Sequence, residues 1–513
     1  MLYVNLSARL MGALAQPFAI LAQPLVVLDA LETVKIIKNF IWDNILLFAL
    51  FGVGIFLSVA LGFPQLKYLF PTIRKMVKDI LAKKPAKPGA MTPFQSLTTA
   101  IAAQVGTGNV VGVASAVAAG GPGAAFWMLL SAFFGMTTIF AEASLSQIYR
   151  EDRHGERVGG PAYYIKQGVK SKALSLIFAI LCIIGLGIVG VMVQSNAIVN
   201  SMNEAFGIPT AWLTAALLAI VGMILAGGMD RIATFSEKVV PVMAFVYIFG
   251  SLLIVFMNVN MLGAALKAMV IGAFRPEALA GGVLGISVRE AARYGLARGL
   301  FSNEAGMGST PHSHAVAEVD HPAEQGFIAM IGVFISTFFI CLCTVLVNLT
   351  SGAYDASLPA REMVLQSEVM TQRAFAAGFG SFGASFLSVA LTCFALTTIV
   401  GWYFFAESNV KFIFGEKRLA VSLFRVISLA FLVVGTLVPG DLVWTLADLF
   451  MGLMALPNIV ALILLWKQPR FILRDYAQGQ KEGSLTWTEA KLHACRNLTI
   501  LPHDGQCGNR HEP

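Results

Sequence analysis

The sequence predicts an all-α integral membrane protein in which about eleven helices cross the bilayer. Of its 513 residues, 57% are hydrophobic and only 13% are charged, whereas soluble domains carry about 25% charged residues. Apolar runs of spanning length recur along the chain, and the basic residues gather in short loops between them. Two of these runs are interrupted by glycines and polar residues, and their positions indicate two inverted sets of five spans.

The predicted spans begin at residue 45 and follow one another with short connections. Each approaches the roughly 20 residues that a helix needs to cross the hydrocarbon layer. An earlier apolar run is interrupted by Gln16, Pro17, Gln23 and Pro24, so we expect residues 1–39 to be an extension of uncertain structure. The chain thus divides into this extension at 1–39, a transmembrane domain at 40–468 and a C-terminal tail at 469–513. The predicted spans are 45–63, 94–119, 122–148, 174–199, 212–226, 239–257, 282–317, 327–347, 382–405, 421–437 and 443–466.

The distribution of basic residues predicts the orientation. The loop after the first span contains a single acid, Asp79, and seven basic residues: Lys67, Arg74, Lys75, Lys78, Lys83, Lys84 and Lys87. Short loops rich in lysine and arginine stay in the cytoplasm. We therefore expect the N-terminus outside and the C-terminal tail inside a bacterial-type plasma membrane. The net charge of +7 follows this pattern, so it does not indicate a nucleic-acid partner.

The two interrupted runs have the composition of broken helices. One contains Gln104–Asn109 and the other contains Gly299–Pro311. Unpaired backbone groups in hydrocarbon cost several kcal/mol each, so such segments must be buried in protein or line a wet cavity. The alternatives are a close helix contact for the former and a polar loop outside the membrane for the latter. Without the first span, these runs are the first and sixth of ten, which places them at equivalent positions of an inverted repeat.

The interrupted segments also resemble a known family. Phe301–Ser309 resembles the signature of the alanine or glycine:cation symporters, the sodium:alanine symporter family, and Gln104–Asn109 is a second match. Further matches lie at 120–124, 159–164 and 397–402, and the resemblance runs from about residue 40 to about 468. It implies a LeuT-like 5+5 inverted repeat with one extra N-terminal helix. The chain departs from the family at Ser336, where the family usually has an acid.

The broken helices are the predicted substrate site. A half-helix N-terminus attracts a carboxylate, and unwound carbonyls attract a cation, so two broken helices can bind an amino acid zwitterion. Thr398 and Trp402 are four residues apart and share a helix face. We expect Trp402 to limit the pocket to glycine or alanine, the alternative being an anchor at the membrane interface. The candidate substrate-binding residues are Gln104, Gly106, Thr107, Gly108, Phe301, Ser302, Asn303, Thr398 and Trp402.

A coupling cation is expected beside the first break. The hydroxyls of Thr397 and Thr398 would face carbonyls around Gly106, with Asn109 nearby, and hard oxygen ligands suit Na⁺. The fold implied by the resemblance often places a sodium site between its first and eighth helices. We expect no transition metal, because no cysteine and histidine spacing typical of such a site occurs, and no organic cofactor.

Glu142 and Glu304 fall inside predicted spans. Intramembrane acids are functional candidates by default, which makes Glu142 and Glu304 candidates for coupling or ion pairing. Glu304 could neutralise an arginine, coordinate the ion or carry a proton. Arg289 and Arg293 share a helix face, so they should meet an aqueous vestibule or partner acids. His312, His314 and His321 lack the accompanying ligands that zinc requires.

These features predict a secondary symporter that imports a small neutral amino acid, alanine or glycine, with Na⁺. The ATP-binding pattern Gly-x-x-x-x-Gly-Lys-[Ser/Thr] does not occur, so an ion gradient would drive transport. Proton coupling through Glu304 is the nearest alternative. A channel would need a continuous polar pore, and an enzyme would need a nucleophile or a metal site. Glycine, L-alanine and D-alanine all remain open as substrates, as does the oligomeric state.

Overall fold

The computed structural model describes residues 24–498, apart from 83–88, 154, 275–286, 356–357, 359, 366 and 416. The first half contains helices α1 (Pro24–Ile41), α2 (Leu47–Leu61), α3 (Pro64–Ala82), α4 (Pro93–Gln104), α5 (Val111–Gly120), α6 (Gly123–Ile148), α7 (Pro161–Tyr164), α8 (Lys172–Ile184), α9 (Val191–Phe206), α10 (Thr210–Ala226), α11 (Gly228–Met257) and α12 (Val259–Phe274). The second half contains α13 (Val288–Asn303), α14 (Pro311–Ala315), α15 (Pro322–Val333), α16 (Leu342–Thr350), α17 (Ala360–Leu365), α18 (Ser367–Phe379), α19 (Ser381–Phe414), α20 (Arg418–Leu437), α21 (Gly440–Leu465), α22 (Lys467–Glu482) and α23 (Glu489–Arg496).

The helical membrane architecture is confirmed. Within the described residues, eight helices are long and apolar enough to cross a bilayer, and α4 with α5 forms a ninth span that is bent by 63°. Of the other two predicted spans, 212–226 corresponds to α10, which has 17 residues. The span at 282–317 corresponds to α13 and α14, which are separated by a polar loop. The count of eleven spans and the LeuT-like arrangement therefore stay predictions.

The first span begins earlier than the sequence indicates. Its helix runs continuously from Leu31 to Leu61, through a π-helical turn at Trp42–Leu46. The polar residues Asp43 and Asn44 lie in this turn, which is why the apolar pattern becomes clear only at residue 45. The expected extension at 1–39 is thus helical from Pro24 onwards, and residues 1–23 lie outside the described residues.

The loop after α6 is more ordered than its mixed charges indicate. Glu151–Arg153 and Glu156–Val158 pair as a short antiparallel hairpin. The next segment forms α7 and a π-helical turn at Ile165–Val169. Most of it is buried, and Tyr163 and Tyr164 are almost fully enclosed. This segment therefore packs inside the protein, and its tyrosines do not face the membrane surface.

The centre of the bundle is α6. It packs against α13 and α15, and also against α2 and α12. The contact with α13 is close because Gly295 and Gly299 face the backbone of α6, and a side chain at Gly299 would overlap Ser131. Small residues allow membrane helices to approach in this way. As a result, α6 supports the loop that follows α13.

The C-terminal segment, which the sequence predicts as a tail, contains two helices. Both α22 and α23 pack on the transmembrane domain, and Asp475 of α22 lies 3.0 Å from the Lys491 ammonium of α23. The same carboxylate accepts a bond from His321 at the start of α15, at 3.1 Å. Arg496 donates to the carbonyl of Ile148 at the end of α6. The segment from 467 to 498 therefore belongs to the body, and residues 499–513 lie outside the described residues.

The reactivity of Cys495 tests whether α23 packs on the transmembrane domain. Its side chain is buried, and burial raises the pKa of the thiol to about 12. Because the thiolate is the reactive form, the reactive fraction near pH 7.5 is far smaller than for an ordinary cysteine. We expect slow maleimide labelling, measured by peptide mass spectrometry, and faster labelling after Asp475→Ala loosens α23. Wild-type labelling at the rate of an exposed thiol would contradict the docking.

Candidate functional site

The first broken helix is interrupted where the Asn109 side chain replaces a backbone carbonyl as the hydrogen-bond acceptor. The Gly106 amide donates to Oδ1 of Asn109 at 3.0 Å. In a continuous helix that amide would bond the carbonyl of Ala102. The helix ends at Gln104, resumes as a turn at Thr107–Asn109 and continues as α5. The break thus frees the Ala102 carbonyl in the middle of the protein.

The second broken helix stops at Asn303. Glu304 has the left-handed backbone angle φ +56°, which is uncommon for a residue other than glycine. Gly306 and Gly308 follow with φ of +87° and +81°, a region that glycine enters without steric cost. The loop between α13 and α14 is fully buried. The expected interruption is present in both helices.

The two breaks meet. Nε2 of Gln104 donates to the carbonyl of Asn303 at 2.8 Å, and Asn109 donates to the hydroxyl of Ser302 at 2.7 Å. A Cβ atom placed on Gly108 would lie 3.2 Å from the ring of Phe301. The last turn of α13 therefore lies directly against the first break. We call this contact region, Gln104–Asn109 with Phe301–Asn303, the junction.

The junction contains buried polar atoms without partners. Among the described residues, Oε1 of Gln104, Oγ1 of Thr107 and Nδ2 of Asn303 form no hydrogen bond. Asn303 uses its Oδ1 to accept from the Ala305 amide at 3.0 Å, which leaves its amide donor free. Leaving a buried polar atom unpaired costs about 1–3 kcal/mol. Gln104 Oε1 faces Gly332 of α15 and the Asn303 amide faces Gly135 of α6, so unpaired donor and acceptor groups surround the contact between the two breaks.

Thr398 is the residue of α19 that reaches the first break. Its hydroxyl lies 2.9 Å from the carbonyl of Ala102, 3.3 Å from that of Val105 and 2.9 Å from that of Phe394. One hydroxyl proton can serve only one of these three oxygens. Thr397 points elsewhere, and its hydroxyl bonds Phe394 and approaches the sulfur of Met243. Of the two hydroxyls expected at the break, only that of Thr398 reaches it, where it lies close to three carbonyl oxygens.

Trp402 and Glu304 form a pair. The indole Nε1 of Trp402 donates to Oε1 of Glu304 at 2.7 Å, and Ser309 donates to the other carboxylate oxygen. The opposite side of the indole packs on Gly190, where a Cβ would lie 2.6 Å from the ring. Both residues are almost completely buried, so Trp402 lies within the protein and is no interfacial anchor. Of the roles expected for Glu304, no arginine partner is found among its described contacts.

The arginines of α13 have acids from other helices as partners. Arg293 bonds Asp43 through two nitrogens, and Arg298 lies 3.4 Å from Asp448. The expectation that this face meets partner acids is therefore met for Arg293. Arg298 also lies over the ring of Phe301, 5.6 Å from its centroid, which places an ion pair beside the junction.

Glu142 stabilises the second break by hydrogen bonds to its backbone. Its two carboxylate oxygens accept the amides of Gly306 and Gly308, each at 3.0 Å. Asn458 of α21 donates to the same carboxylate and to the carbonyl of Gly306. Gly306 thus faces Glu142, away from Gly106. Glu142, predicted as a candidate for coupling or ion pairing, thus bonds the loop between α13 and α14 and has no described contact with the residues of the junction.

Two residues of the site were missed by sequence reasoning. Asn458 is described above, and Gln194 of α9 accepts a bond from the Thr107 amide at 3.4 Å. Asn458 is a single polar residue in an apolar span, and Gln194 begins a short polar stretch at 194–196 within another; polar residues at such positions are often functional. That signal was available in the sequence, but it does not tell which break either residue contacts.

Ser336 lies nearer to the site than the sequence indicated. Its carbonyl is 3.4 Å from Nδ2 of Asn109, in a π-helical turn at Phe334–Cys341. The departure from the family pattern concerns the side chain, whose hydroxyl bonds the carbonyl of Val333 at 3.2 Å, whereas Asn109 contacts the backbone of Ser336.

The histidines contact separate partners. His312 bonds Ser309 and Asn409, and His314 bonds Gln325 at 2.6 Å. His321 bonds Asp475. No group of three potential metal ligands occurs among the described residues.

A cavity of about 1070 Å³ opens at the other end of α4. Its wall includes Met91–Gln95 and acids from several helices. Gln95 donates to Glu237 of α11 at 3.0 Å, which ties the start of α4 to α11. The broken helix therefore connects the cavity at one end with the junction at the other.

Comparison with known proteins assigns the chain to a family. Residues 28–490 match the model of the sodium:alanine symporter family, a range wider than the expected 40–468. The putative sodium/proton-dependent alanine carrier protein YrbD of Bacillus subtilis is 36% identical over 86% of this chain and 92% of its own. The sodium/alanine symporter AgcS of Methanococcus maripaludis is 35% identical over 85% and 95%.

A solved structure also matches the fold. A manganese transporter of Eremococcus coleocola superposes with a TM-score of 0.51 at 14% identity, over 79% of this chain and 83% of that one. At this identity the match concerns the fold alone. The sequence matches are long enough to decide the family. The chain belongs to the sodium:alanine symporter family, whose members are membrane transporters that couple amino acid uptake to a cation and are not enzymes.

Proposed function

We propose that the protein imports a small neutral amino acid, alanine or glycine, together with Na⁺ by alternating access across a bacterial-type plasma membrane. The observation that carries this proposal is the junction, where two broken helices meet around buried polar atoms without partners. The name of the AgcS relative supports both the substrate and the ion. The sequence-based orientation, with the N-terminus outside, gives the direction of import.

The substrate would lie between the two breaks. The helix that resumes at Thr107–Asn109 carries at its start the partial positive charge that suits the carboxylate. The C-terminal end of α13 at Asn303 carries the opposite partial charge, and with Gln104 Oε1 it suits the ammonium group. Close packing of Phe301 on Gly108 supports a preference for a small side chain.

The cation would bind beside Thr398. The carbonyls of Ala102, Val105 and Phe394 and one hydroxyl supply four hard oxygens without a formal charge. Such oxygens beside an unwound helix are typical of sodium sites in transporters with broken helices. Asn109 acts indirectly here, because its Oδ1 accepts the Gly106 amide, which would otherwise bond the Ala102 carbonyl. Thr397 takes no part in this set of ligands.

Inward release would follow the length of α4. The cavity at Met91–Gln95 lies at the end that we predict to be cytoplasmic, and the bond from Gln95 to Glu237 holds this end closed against α11. Breaking that bond would let α4 tilt and join the cavity to the junction. On the outer side, the Arg298–Asp448 pair closes over Phe301. The Arg298–Asp448 ion pair would open to admit substrate, and the Gln95–Glu237 hydrogen bond would then open to release it.

Uptake by the purified protein in liposomes tests the proposal. We expect saturable alanine uptake that needs an inward Na⁺ gradient and stops when Na⁺ is replaced by K⁺ or choline at fixed pH. Asn303→Ala removes a free donor of the junction and Trp402→Ala removes the partner of Glu304, so both should lower uptake or change selectivity. Normal transport with unchanged selectivity in both variants would place the substrate elsewhere.

Proton coupling is the second candidate. The name of the YrbD relative includes protons, and Glu304 is a buried carboxylate one residue from the junction. In this case a pH gradient alone would drive alanine uptake with Na⁺ absent on both sides. Uptake that follows the Na⁺ gradient and ignores the pH gradient would exclude it.

A further inference from the structure

Helix α3 has three faces of different character. At 3.6 residues per turn, Leu66, Phe70, Val77 and Ile80 project from one side. These side chains are exposed, with 68% and 67% of the surface of Leu66 and Phe70 accessible. A second side, with Tyr68 7% exposed, packs on the protein, where the Tyr68 ring stacks on Phe327 of α15 at 4.5 Å.

The third face is basic. Lys67, Arg74 and Lys78 are all exposed and form a stripe about 100° round the helix from the apolar face. None of the three has an acidic partner within 4 Å among the described residues, whereas the neighbouring Lys75 pairs with Glu324. The stripe lies opposite the side that packs on the protein. Its charges are therefore directed away from the body of the transporter.

The position of α3 relative to the bilayer follows from the preceding helix. The span Leu31–Leu61 ends at Gly62, whose left-handed φ of +74° turns the chain immediately before α3 begins at Pro64. A helix that starts where a span ends lies at the level of the headgroups. An apolar side towards the acyl chains beside a row of lysine and arginine is the arrangement of an interfacial helix.

We propose that α3 lies in the membrane interface and binds anionic phospholipid headgroups through Lys67, Arg74 and Lys78. The apolar face would enter the acyl region, while the stripe would contact lipid phosphates in the surrounding leaflet. Each basic residue near an anionic surface favours such lipids. Because α3 packs on α15, which follows the second broken helix, this contact connects the lipid composition to the transport domain. The inference is independent of the transported substrate.

Native mass spectrometry of the purified full-length protein in an equimolar mixture of phosphatidylglycerol and phosphatidylcholine tests this inference. We expect the wild type to retain phosphatidylglycerol in preference, and the variant K67Q/R74Q/K78Q to lose about tenfold or more of that retention. The control K172Q/K417Q/R418Q removes the same charges from exposed positions outside α3. It should retain phosphatidylglycerol as the wild type does.

A charge-preserving variant and a competition with inorganic phosphate complete the test. The variant K67R/R74K/K78R preserves the charge and should retain the lipid, which separates a lost contact from a lost fold. Excess inorganic phosphate should not displace phosphatidylglycerol, since the apolar face contributes only to a lipid complex. Displacement by phosphate, unchanged retention in the glutamine variant or an equal loss in the control would each overturn the proposal.

Discussion

Replacing Glu142 by Gln is expected to reduce alanine transport by about tenfold or more. The carboxylate accepts the amides of Gly306 and Gly308 with separate oxygens. Glutamine has one oxygen, so one loop amide would lose its acceptor and face an NH₂ group. A hydrogen bond to a charged group contributes about 1.5–3 kcal/mol, enough to shift the loop between α13 and α14 out of its bonded conformation. Initial rates of Na⁺-driven uptake in liposomes measure the effect.

Glu290→Gln is the matched control for this prediction. Glu290 lies at the start of α13, the helix that leads into the loop held by Glu142, where it bonds the Ser287 amide at 2.9 Å in a capping box. Glutamine can replace glutamate in such a box, so this variant makes the same chemical change without disturbing the break. We expect it to transport normally. If Glu142→Gln also transported normally, the loop would not depend on the carboxylate.

Replacing Gly106 by Ala is expected to lower the affinity for Na⁺ and so raise the Na⁺ concentration that half-saturates alanine uptake. The new Cβ would lie 2.6 Å from Oγ1 of Thr398, closer than real contacts allow, so the hydroxyl must leave the three carbonyls. Overpacking of this kind costs about 1–3 kcal/mol, which corresponds to a roughly five- to hundredfold rise in the half-saturating Na⁺ concentration. The backbone at Gly106 is extended, with φ −130°, so alanine adds no backbone strain.

Gly112→Ala is the control on the same broken helix. Its Cβ would meet Arg298 at an ordinary 3.8 Å, so Na⁺ dependence should be preserved. Sodium titrations of alanine uptake compare the three proteins. An unchanged half-saturating concentration in Gly106→Ala would move the cation away from Thr398.

The breaks could be predicted from the sequence because their cause is local. Glycine and polar residues at 104–109 and 299–311 interrupt apolar runs, and no spanning helix tolerates them in lipid. We also expected the two breaks to meet, since equivalent positions of an inverted repeat form one site. The assignment of the family rested on the same residues, and the comparisons confirm it.

The contacts behind the breaks could not be predicted, because they join distant parts of the chain. Glu142 and Gly306 are separated by 164 residues, and nothing in either local pattern indicates that they meet. Thr397 and Thr398 looked equivalent, yet adjacent residues on a helix point about 100° apart, so only one reaches the break. The docked segment at 467–498 was missed for a related reason: its polar composition hides the side that packs on the protein.

A cryo-electron microscopy map of the protein with L-alanine and Na⁺ tests the central claim most directly. We expect density for the amino acid at the junction, between the turn at Thr107–Asn109 and the end of α13 at Asn303, with the ion beside Thr398. Ligand density in the cavity at Met91–Gln95, with the junction closed around its own side chains, would contradict the account.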